Sequence, residues 1–346
     1  MSAAEECAAI VYATCAEPTS IADVRHPAEP PRFVARPFRC GAGVRWAAFP
    51  LTIVMTIVLL LGTAGRALGD DDLDAEPPHP RGPPIVWNPA WPEFQTSEWI
   101  VSGLGLGAFL MSHVLPKPSQ HWRGGVFADE PVRKALRLSS PGARRWARDL
   151  SDIGITVNES WPFFDALVVS GWYRNSPHAG MQQALISAEV LSVTAGMQGL
   201  VSLLASRERP YGRDCGGELR ADSRDCTSSD RYYSFYSGHS SQSFAAAAVN
   251  CMHHAYLPLY AGGAGDDWAC AGSLGVATTT ALLRIATDVH YLSDVFVGAV
   301  LGSATGVLVP WVLHYRHGAP VPAVSGDEWS LQIWPTPSGV TGVLVF

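Results

Sequence analysis

Three short runs in the second half of the chain carry side chains suited to moving a phosphoryl group: Arg209-Pro210, Ser237-Gly238-His239 and Arg284-x5-His290-x3-Asp294. His290 and Asp294 are four residues apart, so on a helix they share a face and the carboxylate can hold the imidazole as a nucleophile. Arg209 and Arg284 offer planar, permanently charged forks that match phosphate oxygens in pairs. His239 can protonate a leaving alkoxide. Ser237 and Gly238 directly precede a helix-like run from Ser240 to Met252. Free backbone N–H groups and the positive end of that helix suit a phosphate, and Gly238 lets the backbone approach closely. Together these residues fill the roles of a metal-independent phosphatase: His290, His239 and Asp294 for catalysis, Arg209, Arg284, Ser237 and Gly238 for the phosphate, with no metal and no cofactor.

The order and spacing resemble the type-2 phosphatidate phosphatase superfamily, which also contains bacterial acid phosphatases and vanadium-dependent haloperoxidases. Its pattern is K-x6-R-P, then P-S-G-H, then S-R-x5-H-x3-D, and the resemblance runs over residues 97–315. This chain departs from the pattern at three places: Leu283 stands for serine, Tyr236 for proline, and Ser202 for the lysine, with no lysine after Lys134. Arg207 or Arg213 could supply the missing charge. The resemblance implies an all-α fold, a six-helix core bundle of the acid phosphatase/haloperoxidase type. It also implies that His290 attacks phosphorus, His239 protonates the leaving group, water then cleaves the phosphohistidine, and Asp294 keeps His290 in the attacking tautomer. The expected substrate class is a lipid phosphate or pyrophosphate. Two other readings stay open: the same pocket could hold vanadate and oxidise halide, or the chain could be a degenerate, non-catalytic membrane protein, as Ser202 and Tyr236 suggest.

The elements that must position these residues are helical and apolar. Hydrophobic residues make up 47% of the 346 and charged residues 16%, below the roughly 25% charge usual for soluble domains. The composition therefore leans toward a membrane, and a net charge of −7 gives no reason to expect nucleic acid. Helical segments are expected near 97–115, 157–173, 181–204, 240–260, 268–283 and 291–315. A basic surface or interfacial region lies between the first two, at 117–148. Glu159 and Asp165 make 157–173 the candidate for a helix that does not cross. Gly298, Gly302 and Gly306 form a small-residue stripe that lets a neighbouring helix come close. His253 and His254 face different sides of their helix and read as structural.

Residues 46–65 form an uncharged stretch long enough to span a bilayer. Five arginines precede it, and Asp70, Asp71, Asp72, Asp74 and Glu76 follow it. The charge bias puts the N-terminus in the cytoplasm and the rest outside, with 46–65 either a signal anchor or a cleaved signal peptide. The expected organisation is an N-terminal extension (1–45), this segment (46–65), a proline-rich linker (66–96), the helical phosphatase domain (97–318) and a tail (319–346) with a short β-hairpin. Cys215 and Cys226 share a polar loop and are expected to pair, which requires an oxidising compartment. The remaining cysteines show no metal-ligand spacing. The expected location is the cytoplasmic membrane with the site facing the periplasm or exterior, or alternatively a soluble periplasmic body.

Overall fold

The computed structural model describes residues 83–118, 121–322, 330–336 and 339–345. The expected extension 1–45, the apolar segment 46–65, the acidic run after it and the linker up to residue 82 lie outside the described residues. The helices that build the fold are α1 (Thr96–Val114), α2 (Asp129–Leu136), α3 (Pro141–Phe164), α4 (Pro177–Ala205), α5 (Gly238–Tyr256), α6 (Ala264–Ala286) and α7 (Leu292–Leu313). The described chain is mostly helical, in keeping with an all-α fold. Strands β1 (Ser330–Thr336) and β2 (Gly339–Val345) pair antiparallel, with Ser330 opposite Val345.

One expected helix is displaced. Residues 157–173 are not an element of their own but the second half of α3, continued by a π-helical stretch at Asp165–Tyr173. The start lies earlier because Ser140 caps it, accepting the Ala143 N–H at 3.0 Å. Pro141 follows at a position where a missing N–H costs nothing. Arg144, Arg145 and Arg148 therefore belong to α3 and not to a separate surface region.

Helix α5 is the hub, packing against α3, α4, α6 and α7. Ala245, Ala246, Ala247 and Ala248 are buried along it, and such small side chains let four neighbours approach. The glycine stripe of α7 lies against the same helix. A Cβ at Gly298 would come within 2.7 Å of the Ser237 carbonyl oxygen, and at Gly302 and Gly306 it would collide with the carbonyls of Ser241 and Ala245. The bundle end remote from Ser237 is closed by aromatic packing of Trp91 and Tyr256 on Tyr315, with centroid distances of 4.9 Å for Trp91 and 4.5 Å for Tyr256. Trp87 and Trp91 come from the end of the expected linker, whose residues 83–95 form no helix yet pack into the core.

Among the described residues, α4, α6 and α7 are long and apolar enough to cross a membrane. Their outer faces leave large apolar side chains exposed, including Leu204, Leu282, Phe296 and Leu308.

Because backbone carbonyls of α5 fill the space over the stripe, Gly302→Ala should destabilise by about 1–3 kcal/mol through overpacking. Gly107→Ala, whose Cβ would meet nothing within 4 Å, should not. Thermal unfolding of the two variants in one detergent checks this, and equal melting temperatures would refute the close approach.

Candidate active site

The three runs meet at one end of the bundle. His290 lies in the turn between α6 and α7, with its N–H on the Arg284 carbonyl at 3.2 Å, and is buried. Asp294 sits in the first turn of α7, where its Oδ2 accepts the Tyr291 N–H at 2.8 Å and caps the helix. Because His290 precedes the helix, the expected face-sharing geometry does not arise. His290 Nδ1 lies 3.7 Å from Asp294 and instead hydrogen-bonds the Ser234 carbonyl at 2.8 Å. A carbonyl only accepts, so Nδ1 carries the proton and Nε2 is left with the free lone pair. Asp294 reaches His290 indirectly, accepting the Ser234 hydroxyl at 2.6 Å.

The rest of Asp294 is engaged by Arg207, which sequence reasoning offered as a phosphate ligand. Arg207 is fully buried. It pairs with Asp294 and, at 2.8 Å, with Asp129, and it donates to Ser293 Oγ at 2.8 Å. The Trp122 and Tyr291 rings lie 4.1 and 4.2 Å from its guanidinium carbon. With its donors so occupied, Arg207 is a clamp and not a phosphate ligand. Arg213 is half-exposed and pairs with Glu130 at 2.8 Å. Ser202, at the lysine position, donates to the Phe235 carbonyl at 2.9 Å and so braces the loop before Ser237. Lys117 comes near Arg209, but its ammonium donates to the Tyr232 carbonyl at 3.1 Å.

Ser237 caps α5, its Oγ accepting the Ser240 N–H at 3.3 Å, while its own N–H donates to the Asp294 carbonyl at 3.0 Å. This ties the start of α5 to the start of α7. Gly238 opens α5, and a Cβ there would stand 3.3 Å from Gln198. His239 follows, with Nε2 at 2.7 Å from Asp152 of α3. Arg284 donates to Ser151 Oγ at 2.8 Å and lies 3.2 Å from Asp152. Asp152 thus links His239 to Arg284.

The electrostatics bring the set together. Burial, and then the charges of Arg209, Arg284 and His239, hold the His290 pKa well below the usual histidine value. Burial and Arg284 push His239 down to about 4, against the opposing pull of Asp152. Both rings are therefore neutral at neutral pH, in a site whose arginines make it cationic. Three Nε–H groups, of Arg148, Arg209 and Arg284, are buried with no hydrogen-bond partner among the described residues.

Sequence reasoning missed Asp152, Ser151 and the part of Arg148. Arg148 lies one turn before Asp152, over the Tyr211 ring and 3.6 Å from Asp225, close enough for its charge to act on Asp152 and Arg284. Their i, i+4 spacing on α3 was the available signal. Both cysteine pairs are bridged. Cys215–Cys226, as expected, closes the loop after Arg209, and Cys251–Cys270 joins α5 to α6. His254 is buried between Asp165 and Asp266, at 3.1 and 2.6 Å, and His253 between Ser187 and Tyr315, both in the core.

No curated protein and no solved structure matches the chain. Residues 183–317, which contain Arg209, Ser237, Gly238, His239, Arg284, His290 and Asp294, match the family model of the PAP2 superfamily.

Proposed function

We propose that the chain is a metal-independent phosphatase that hydrolyses a lipid phosphate or pyrophosphate through a phosphohistidine on His290. Members of the superfamily are generally phosphatases. The observation that carries the finer reading is His290 itself, neutral, fixed through Nδ1 on Ser234 and surrounded by Arg209, Arg284 and His239. Nε2 of His290 attacks phosphorus and the bond to the leaving oxygen breaks. His239 gives that oxygen a proton. Water then attacks the phosphohistidine, His239 takes back a proton, and the N–P bond breaks to release phosphate and neutral His290. Arg209, Arg284 and the N–H groups opening α5 hold the equatorial oxygens. Arg148 supplies the third cation in place of the lysine.

The six helices of nineteen residues or more, α1 and α3 to α7, serve as the family core. A lipid substrate is supported by the outer face of α3, where Trp146, Leu150 and Ile153 are exposed, each within one turn of Arg148 or Asp152. Acyl chains lying there would bring a headgroup to the arginines. The Cys215–Cys226 bridge in the loop after Arg209 favours a site facing an oxidising, extracytoplasmic space.

His290→Ala should lower phosphate release from a lipid phosphate by about 10³-fold or more while the melting temperature holds. Retained turnover would remove the nucleophile assignment. Vanadate-dependent halide oxidation by peroxide, without phosphate release, would assign the haloperoxidase reading instead.

Arg148→Ala should raise KM about tenfold, the loss of one charge-assisted contact, and Arg148→Lys should recover part of it. An unchanged KM would exclude Arg148 from the phosphate site.

The pH profile carries the third test. A depressed His290 pKa keeps the nucleophile unprotonated into acid, so the acid limb of kcat/KM should lie below about 6.5, the ordinary histidine value. His239 must hold a proton, which the incoming phosphate dianion favours by offsetting Arg284. Asp152 raises the His239 pKa, so Asp152→Asn should move the alkaline limb of kcat to lower pH. An alkaline limb that stays in place would show that Asp152 does not act through His239.

A further inference from the structure

Glu98 in the first turn of α1, Glu189 in α4 and His314 just after α7 each bring one donor atom to within 4.8 Å of the other two. His314 lies at the opposite end of the 22-residue α7 from His290, roughly 33 Å away at 1.5 Å per residue. All three side chains are more than nine-tenths buried. Their facing atoms, Glu98 Oε1, Glu189 Oε2 and His314 Nε2, have no hydrogen-bond partner among the described residues. His314 Nε2 and Glu98 Oε1 are 2.8 Å apart, yet lack the angular geometry of a hydrogen bond. Buried polar atoms are nearly always paired, and two carboxylates facing each other away from water repel unless a cation or a shared proton lies between them.

The groups behind these atoms are already arranged as ligands require. His314 Nδ1 donates to the Pro92 carbonyl at 2.8 Å, which orients the ring and turns Nε2 toward the two carboxylates. The Gln95 N–H donates to Glu98 Oε2 at 2.6 Å and fixes that carboxylate. Outer hydrogen bonds of this kind orient metal-bound histidine and carboxylate. Two carboxylates and a neutral imidazole carry a charge that one divalent cation cancels. Bonds of about 2.0–2.2 Å to zinc put tetrahedral donors about 3.4 Å apart, which small torsional changes of the two carboxylates reach.

We propose that Glu98, Glu189 and His314 form a structural site for a divalent transition-metal cation, Zn²⁺ above all, that ties α1, α4 and α7 together far from the nucleophile. The test uses the full chain, purified without a histidine tag, exposed to Zn²⁺ and desalted. Elemental analysis should find about one more Zn²⁺ per chain in wild type than in Glu189→Gln or His314→Gln. EDTA should lower the wild-type melting temperature and added Zn²⁺ restore it, while Glu189→Gln responds to neither. Equal Zn²⁺ in wild type and Glu189→Gln, or a wild-type melting temperature indifferent to EDTA and Zn²⁺, would overturn the site and leave a proton shared between the carboxylates. If His314→Gln fails to fold, the wild-type chelation series and Glu189→Gln still decide.

Discussion

The buried ion cluster around Arg207 is the interaction on which the rest of the site depends. One guanidinium joins Asp129 at the start of α2, Asp294 in the first turn of α7 and the Gly124 carbonyl, with Trp122 and Tyr291 on its faces. Removing one partner of such a cluster leaves an uncompensated charge, at about 3–5 kcal/mol. Its consequences spread because its members have second partners. Asp294 holds Ser234, which holds His290, and Arg209 is two residues from the clamp. The cluster contacts no substrate in the mechanism proposed here, yet it fixes where His290 and Arg209 stand.

Much of the site was legible because its residues are close in sequence within three runs. His290, His239, Arg209 and Arg284 converge as their spacing suggested, and the glycine stripe of α7 packs where four-residue spacing placed it. What was not legible is non-local. The Arg207 to Asp129 pair spans 78 residues and the Asp152 to His239 pair 87, with no periodicity to mark either. The partner of His290 was misread because a helical spacing was applied across a helix boundary. There the backbone carbonyl of Ser234, which has no sequence signature, outcompetes the carboxylate. The helix at 157–173 was misread for a related reason: apolar residues mark only the second half of α3, whereas its start is set by the Ser140 cap and Pro141.

The two ends of the bundle solve the burial of charge differently. At the His290 end, the Nε–H groups of Arg148, Arg209 and Arg284 are buried without a hydrogen-bond partner among the described residues, which suits an anionic ligand. At the other end the polar residues are largely paired in place. Asp165 and Asp266 flank His254, and the Tyr260 hydroxyl donates to Asp165 at 2.7 Å. Glu98, Glu189 and His314 differ in that each leaves one buried atom without a hydrogen-bond partner among the described residues.

The two cysteine bridges constrain how the bundle reaches its final place. Cys215–Cys226 lies in the loop beside the site, whereas Cys251 is twelve residues along α5 from His239, about 18 Å deeper at helical rise. An oxidant must therefore have met both levels of the same bundle. Cys215–Cys226 closes the loop that leads from Arg209 toward α5, and Cys251–Cys270 fixes the far half of α5 to α6, so the helix that His239 opens is flanked by a covalent link on either side.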